Sequence, residues 1–210
     1  MLLPKLEAML HELYALDVGY AVSDFLITDP ELARALDAGG RNVDEKLLIA
    51  EADGEADVAL YLERDLLERL AERDPLTKLD ENNLADFWAA LEGVSHFTCY
   101  AWNAARDKTV SLFELELQAE VDKFVTTLKL LREQTGRPPD GLHDWLFDTP
   151  TLAAELGEDE RERYRLANRY AARYCRRLTK TGDDEAAAQR ELRRFYRLSQ
   201  TSKLAHIDAD

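Results

Sequence analysis

The sequence predicts an α+β fold: a small three-stranded antiparallel sheet with short helices, followed by a mainly helical region of two helical hairpins. Three observations carry this. Two apolar runs flank Asp53-Gly54, a turn pair typical of β-hairpins. From Asn83 onward, apolar residues recur at helical spacing in almost every segment. Only nine Gly and six Pro punctuate 210 residues, so the connections are short.

The elements follow in order. Pro4 to Leu16 reads as a helix, because Leu6, Leu10, Leu13 and Leu16 fall near one face. GYAVSDFLIT, Gly19 to Thr28, is rich in aromatic and β-branched residues and reads as a strand. Asp29-Pro30 opens a short helix, with proline where a missing N–H does no harm, and Gly39-Gly40 ends it. KLLIAEADGEADVALYLE, Lys46 to Glu63, is the hairpin, with a loop expected to exceed two residues. A helix over Asp65 to Arg73 stops before Pro75. Residues 1–80 are thus a small α+β unit, and residues 81–210 a helical region; the two stand apart or close into one compact domain.

The helical region divides into a long hairpin over 83–135, a linker over 136–157 and a basic hairpin over 158–206. Asn83 caps a helix reaching about Arg106, Asp107-Lys108 turns the chain, and a second helix runs from about Ser111 to Thr135. Gly136 and Pro138-Pro139 end it. In the linker, Trp145-Leu146-Phe147 reads as an anchor onto the core. The last two helices span Glu158 to Leu178 and Asp184 to about Ala205.

Composition narrows the function. Hydrophobic residues at 46% and charged residues at 33% support a packed core. A net charge of −15 disfavours nucleic-acid binding, because the surface repels phosphate. Residues 1–80 carry 19 acidic against 8 basic side chains, whereas residues 158–210 carry 13 basic against 10 acidic. Cys99 and Cys175 belong to no CxxC pair and suit buried thiols in a reducing cytoplasm, the expected location. MLLPKLEAMLHEL lacks the pattern of a signal peptide and no run of 18 apolar residues occurs, so no membrane role is expected. No cofactor is predicted.

FELELQAEVDKF, Phe113 to Phe124, begins with strand-like alternation. Turned at about 100° per residue, it resolves into a helix. Phe113, Leu117, Val121, Phe124, Leu128 and Leu131 share one face, and Glu114, Gln118, Asp122 and Lys129 the opposite face, expected to be wet. Glu116, Glu120, Lys123 and Thr127 form a polar line beside the apolar stripe. On the preceding helix, Glu92, His96 and Asn103 share a stripe. Equal distances from the intervening turn place His96 near Glu120 and Glu92 near Lys123.

Three readings compete for this cluster. The leading one is structural: buried charges need partners, and these residues supply them. A metal site would use Glu92, His96, Glu116 and Glu120; however, bundle metal sites favour Glu-x-x-His, here the spacing is Glu92-x-x-x-His96, and Lys123 repels a cation. A catalytic site would use His96 as acid or base with Glu120 and Glu92 beside it. No nucleophile motif or Gly-rich phosphate loop supports an enzyme. His11, His143 and His206 read as surface or terminal residues.

In the basic hairpin, Tyr164, Ala167, Ala171, Tyr174 and Leu178 face inward, while Arg165, Arg169, Arg173 and Arg176 line the opposite side. In the last helix Ala188, Leu192, Phe195 and Ser199 point in, and Arg190, Arg193, Arg194 and Arg197 point out. Such arginines are solvated, dock on the chain's own acidic region, or bind an acidic partner. The leading expectation is a non-enzymatic interaction or regulatory protein that binds a protein partner or itself. An enzyme or metal-binding protein using the Glu/His cluster is the alternative, and nucleic-acid binding through the arginine-rich helices is a third.

Overall fold

The computed structural model describes residues 1–37, 43–137, 140–148, 157–180 and 184–209. The stop at Gly39-Gly40, the Pro138-Pro139 pair and residues 149–156 of the linker lie outside the described residues. The fold is α+β, and no described helix is long and apolar enough to cross a membrane.

Helix α1 spans Leu3–Tyr14 and is followed by a short 3-10 turn at Val22–Asp24. The expected strand over 19–28 shrinks to β1, Leu26–Ile27. The reason is tertiary: the Val22 N–H donates to the Glu7 carboxylate at 2.8 Å, which holds that stretch against α1. Asp29 caps α2, Pro30–Leu36, by accepting from the N–H groups of Glu31 and Leu32.

Strands β2, Glu45–Ala52, and β3, Glu55–Leu62, pair antiparallel in full register. Ala52 pairs with Glu55, so the loop is Asp53-Gly54 alone and not the longer one expected. Both residues have positive φ, 53° and 84°, as this two-residue turn demands. Strand β1 lies parallel to β3, with Leu26 opposite Leu60, so the sheet is mixed and its order is β1-β3-β2.

Helix α3, Arg64–Glu72, leads into the long hairpin of α4, Leu84–Ala104, and α5, Leu112–Thr135. Ser111 caps α5 by accepting from the Glu114 N–H, and Gly136 closes it at φ 81°. Asn83 precedes α4 but does not cap it. Its amide instead donates to the carbonyls of Arg73 and Lys78, and its oxygen accepts from the Asp80 N–H. Helix α6, Leu142–Phe147, buries Leu142, Leu146 and Phe147; Trp145 is 54% exposed, so the anchor is aliphatic and Phe rather than Trp.

Helix α7 spans Glu158–Thr179. The single last helix expected from the sequence is two: α8, Glu185–Tyr196, and α9, Gln200–Asp208. Ser199 adopts an extended backbone and caps α9 through the Ser202 N–H, so it is exposed rather than inward. The break lets α9 fold back and drive Lys203 into the interior.

One continuous apolar core joins residues on either side of position 80, among them Leu6, Leu60, Phe87, Leu117, Tyr174 and Phe195. Helix α4 lies between the sheet and α5, and α5 lies between α4 and α7. This double sandwich decides the chemistry of α5: its polar residues have nowhere wet to go.

Candidate functional site

The cluster around His96 is assembled from four elements. Helix α4 supplies Glu92 and His96, α5 supplies Glu116, Glu120 and Lys123, α7 supplies Tyr164, and β2 supplies Glu45. Glu45 starts the strand on the face that packs against α4. Gly93 lets it approach: a Cβ at that position would stand 3.0 Å from Glu45 Cγ and 2.9 Å from Leu60 Cδ1. The Lys123 ammonium lies 2.5 Å from Glu92 and 2.9 Å from Glu120. The imidazole of His96 stands between two carboxylates, Nδ1 3.5 Å from Glu45 and Nε2 3.7 Å from Glu116. Tyr164 stands near Glu116 and shares its electrostatic surroundings.

The cluster is nearly closed. Its side chains are 8–19% exposed, from His96 at the low end to Glu92 at the high end. Burial pushes the His96 imidazole toward neutrality, but Glu116 and Glu45 outweigh it and hold the group well above its ordinary value. Burial raises the Glu45 carboxyl, more than His96 lowers it. For Glu92 the order reverses: burial raises it, and Lys123 with His96 brings it below the usual carboxylate range. Burial opposes charge on Lys123, and Glu120 and Glu92 restore it. Burial and the surrounding carboxylates, Glu116 foremost, raise the Tyr164 phenol.

The sequence anticipated part of this. Glu92 meets Lys123, as the helical heights required. His96 does not meet Glu120; it sits one turn away, beside Glu116, and Glu120 answers Lys123 instead. Glu45 and Tyr164 were not anticipated, because nothing local in a strand or in a distant helix signals which buried histidine it will face.

A second polar network occupies the other side of α5, where the sequence predicted water. Glu114, Gln118 and Asp122 are buried. Asp122 accepts hydrogen bonds from Ser95 Oγ at 2.6 Å, Gln118 Nε2 at 2.9 Å and the Tyr14 hydroxyl. Lys203, only 2% exposed, reaches Gln118 Oε1 at 3.5 Å and Glu114 at 3.6 Å. Burial raises the Asp122 carboxyl to about 6 despite its three donors. The polar periodicity was sound; its partners come from α1, α4 and α9 and are invisible to a local pattern.

The other histidines are also less free than expected. His143 donates from Nε2 to the Ala172 carbonyl at 2.8 Å and packs on Phe124 and Phe147. His206 faces Glu191, and His11 is partly buried, with its Nε2 enclosed.

The arginine faces divide by use. Arg193 and Arg197 donate to the carbonyls of Glu12, Leu13 and Ala15, where α1 ends and its dipole favours cations. Arg173 pairs with Asp208 and Arg176 with Asp144. Arg165, Arg169, Arg190 and Arg194 are exposed and form no ion pair with a described residue.

Two clefts lie elsewhere. One of about 340 Å³ is walled by Leu79, Leu84, Leu131, Leu142 and Trp145; another of about 800 Å³ runs between α1, α5 and α8. Neither contains a residue of the His96 cluster. The chain matches no protein-family model, and comparison with curated proteins and solved structures finds no match.

Proposed function

We propose that this chain is a non-enzymatic interaction protein of the cytoplasm, and that it binds an acidic surface through the outer arginines of α7 and α8. The supporting observation is the closure of the His96 cluster. Its candidate acids and bases stand at most a fifth exposed, which leaves a substrate no room. Activity then belongs to the surface. Arg165, Arg169, Arg190 and Arg194 are exposed there and form no ion pair with a described residue. The preferred partner is a second copy, because the β2–β3 hairpin carries the exposed acids Glu51, Asp53, Glu55 and Asp57. Guanidinium forks suit such carboxylates, and the contact weakens with salt.

Sedimentation of the parent chain and of a variant with Arg165, Arg169, Arg190 and Arg194 all changed to Glu tests this. The expected result is an oligomer that dissociates in the variant and in high salt. A monomeric parent excludes self-association. Retention of the oligomer after charge reversal refutes the arginine surface, and salt-sensitive retention of the parent on nucleic acid would favour the phosphate reading instead.

A further inference from the structure

We propose that Glu45, Glu92 and His96 form a closed site for a divalent first-row transition-metal ion, with Glu116 orienting the histidine. The proposal is independent of the reading above. Three observations support it.

The first is charge. Glu45, Glu92, Glu116 and Glu120 face one lysine, and even a fully protonated His96 leaves the carboxylates in excess. Burying unbalanced charge is costly, so the pocket calls for another cation. The second is a lack of hydrogen bonds. His96 is 7% exposed, and its Nε2 and the Glu45 Oε1 are buried with no hydrogen bond, because their contacts at 3.7 and 3.5 Å are too long. The third is reach. One ligand atom from each of Glu45, Glu92 and His96 lies within 4.8 Å of the others. Tetrahedral ligands on one ion at about 2.1 Å lie about 3.4 Å apart, so a closure of at most about 1.4 Å completes the site.

The chemistry of the set selects the ion. One imidazole and two carboxylates suit manganese, iron, cobalt or zinc better than calcium or magnesium. Nδ1 of His96 faces Glu45 and is the ligating nitrogen, which leaves Nε2–H to donate to Glu116 once the site closes from the present 3.7 Å. A carboxylate behind a ligating histidine is the usual way to fix its tautomer and aim. Lys123 takes one oxygen of Glu92, and the second oxygen remains for the ion. Because the site is closed, the ion is structural: it ties the start of β2 to α4.

The test is titration of the chelator-stripped full chain with Co2+, followed by the visible absorption of the bound ion, and with Zn2+ as competitor. The expected result is one saturable site per chain with a higher melting temperature when loaded. Glu45→Gln and His96→Gln abolish it, Glu116→Gln weakens it about 10- to 100-fold, and His143→Gln leaves it unchanged. Circular dichroism establishes that each variant is folded, and competition by the parent with a colorimetric chelator gives a readout that needs no variant. Absence of saturable Co2+ or Zn2+ binding by the parent overturns the proposal. So does binding that survives both Glu45→Gln and His96→Gln, or a preference for Ca2+ or Mg2+ over Co2+.

Discussion

Asp122→Asn isolates the energetic consequence of placing a carboxylate inside α5. Asp122 is 1% exposed and accepts from Ser95, Gln118 and Tyr14. Burial lifts its carboxyl from 3.8 to about 6. The folded state therefore holds the proton more tightly than the unfolded chain does. The stabilisation this gives is complete below about pH 4 and is lost as pH rises through about 6. At 1.36 kcal/mol per unit, the difference is about 3 kcal/mol. Asparagine has nearly the same shape and does not titrate, and the hydroxyls of Ser95 and Tyr14 can turn to meet it. Urea unfolding of parent and variant at a series of pH values measures the gap. The variant is expected to gain about 3 kcal/mol on the parent between about pH 4 and about pH 7, worth roughly 6–12 °C in melting temperature for a chain of this size. Stabilities that run parallel across that range would refute the reasoning.

The remaining predictions concern the His96 side of the hairpin. Lys123→Ala strands both Glu92 and Glu120 and is expected to cost about 3–5 kcal/mol, whereas Glu120→Ala leaves Lys123 its bond to Glu92 and costs about 1 kcal/mol; denaturant midpoints that rank them the other way would contradict the assignment. Gly93→Ala raises helix propensity by up to about 1 kcal/mol but drives a methyl against Leu60 and Glu45, an overpacking cost of about 1–3 kcal/mol. A net loss of about 1 kcal/mol is expected, and a stabilised variant would show that Glu45 does not need that approach.

Local chemistry determined most of the elements of this protein. Asp53-Gly54 fixed the β2–β3 turn, Ser111 and Gly136 bounded α5, and the spacing of Leu117, Val121 and Phe124 made it a helix in spite of its alternating start. The same spacing paired Glu92 with Lys123 once the intervening turn was read as tight. What tertiary structure decided was the surroundings of each polar group. A period of 3.6 residues says which side chains share a face, but not what that face meets. Asp122 and Gln118 share a face with the exposed Lys129 in any local reading, yet α1 and α9 close over the first two and not the third. Glu45 reaches His96 only because Gly93 lets a strand lie against α4, across a sequence gap no local pattern bridges. The late break at Ser199 belongs to the same class. The helical period puts Ser199 on the inner face of a single helix, whereas its capping of α9, and the burial of Lys203 beside Glu114 and Gln118 that the break permits, depend on elements meeting in space.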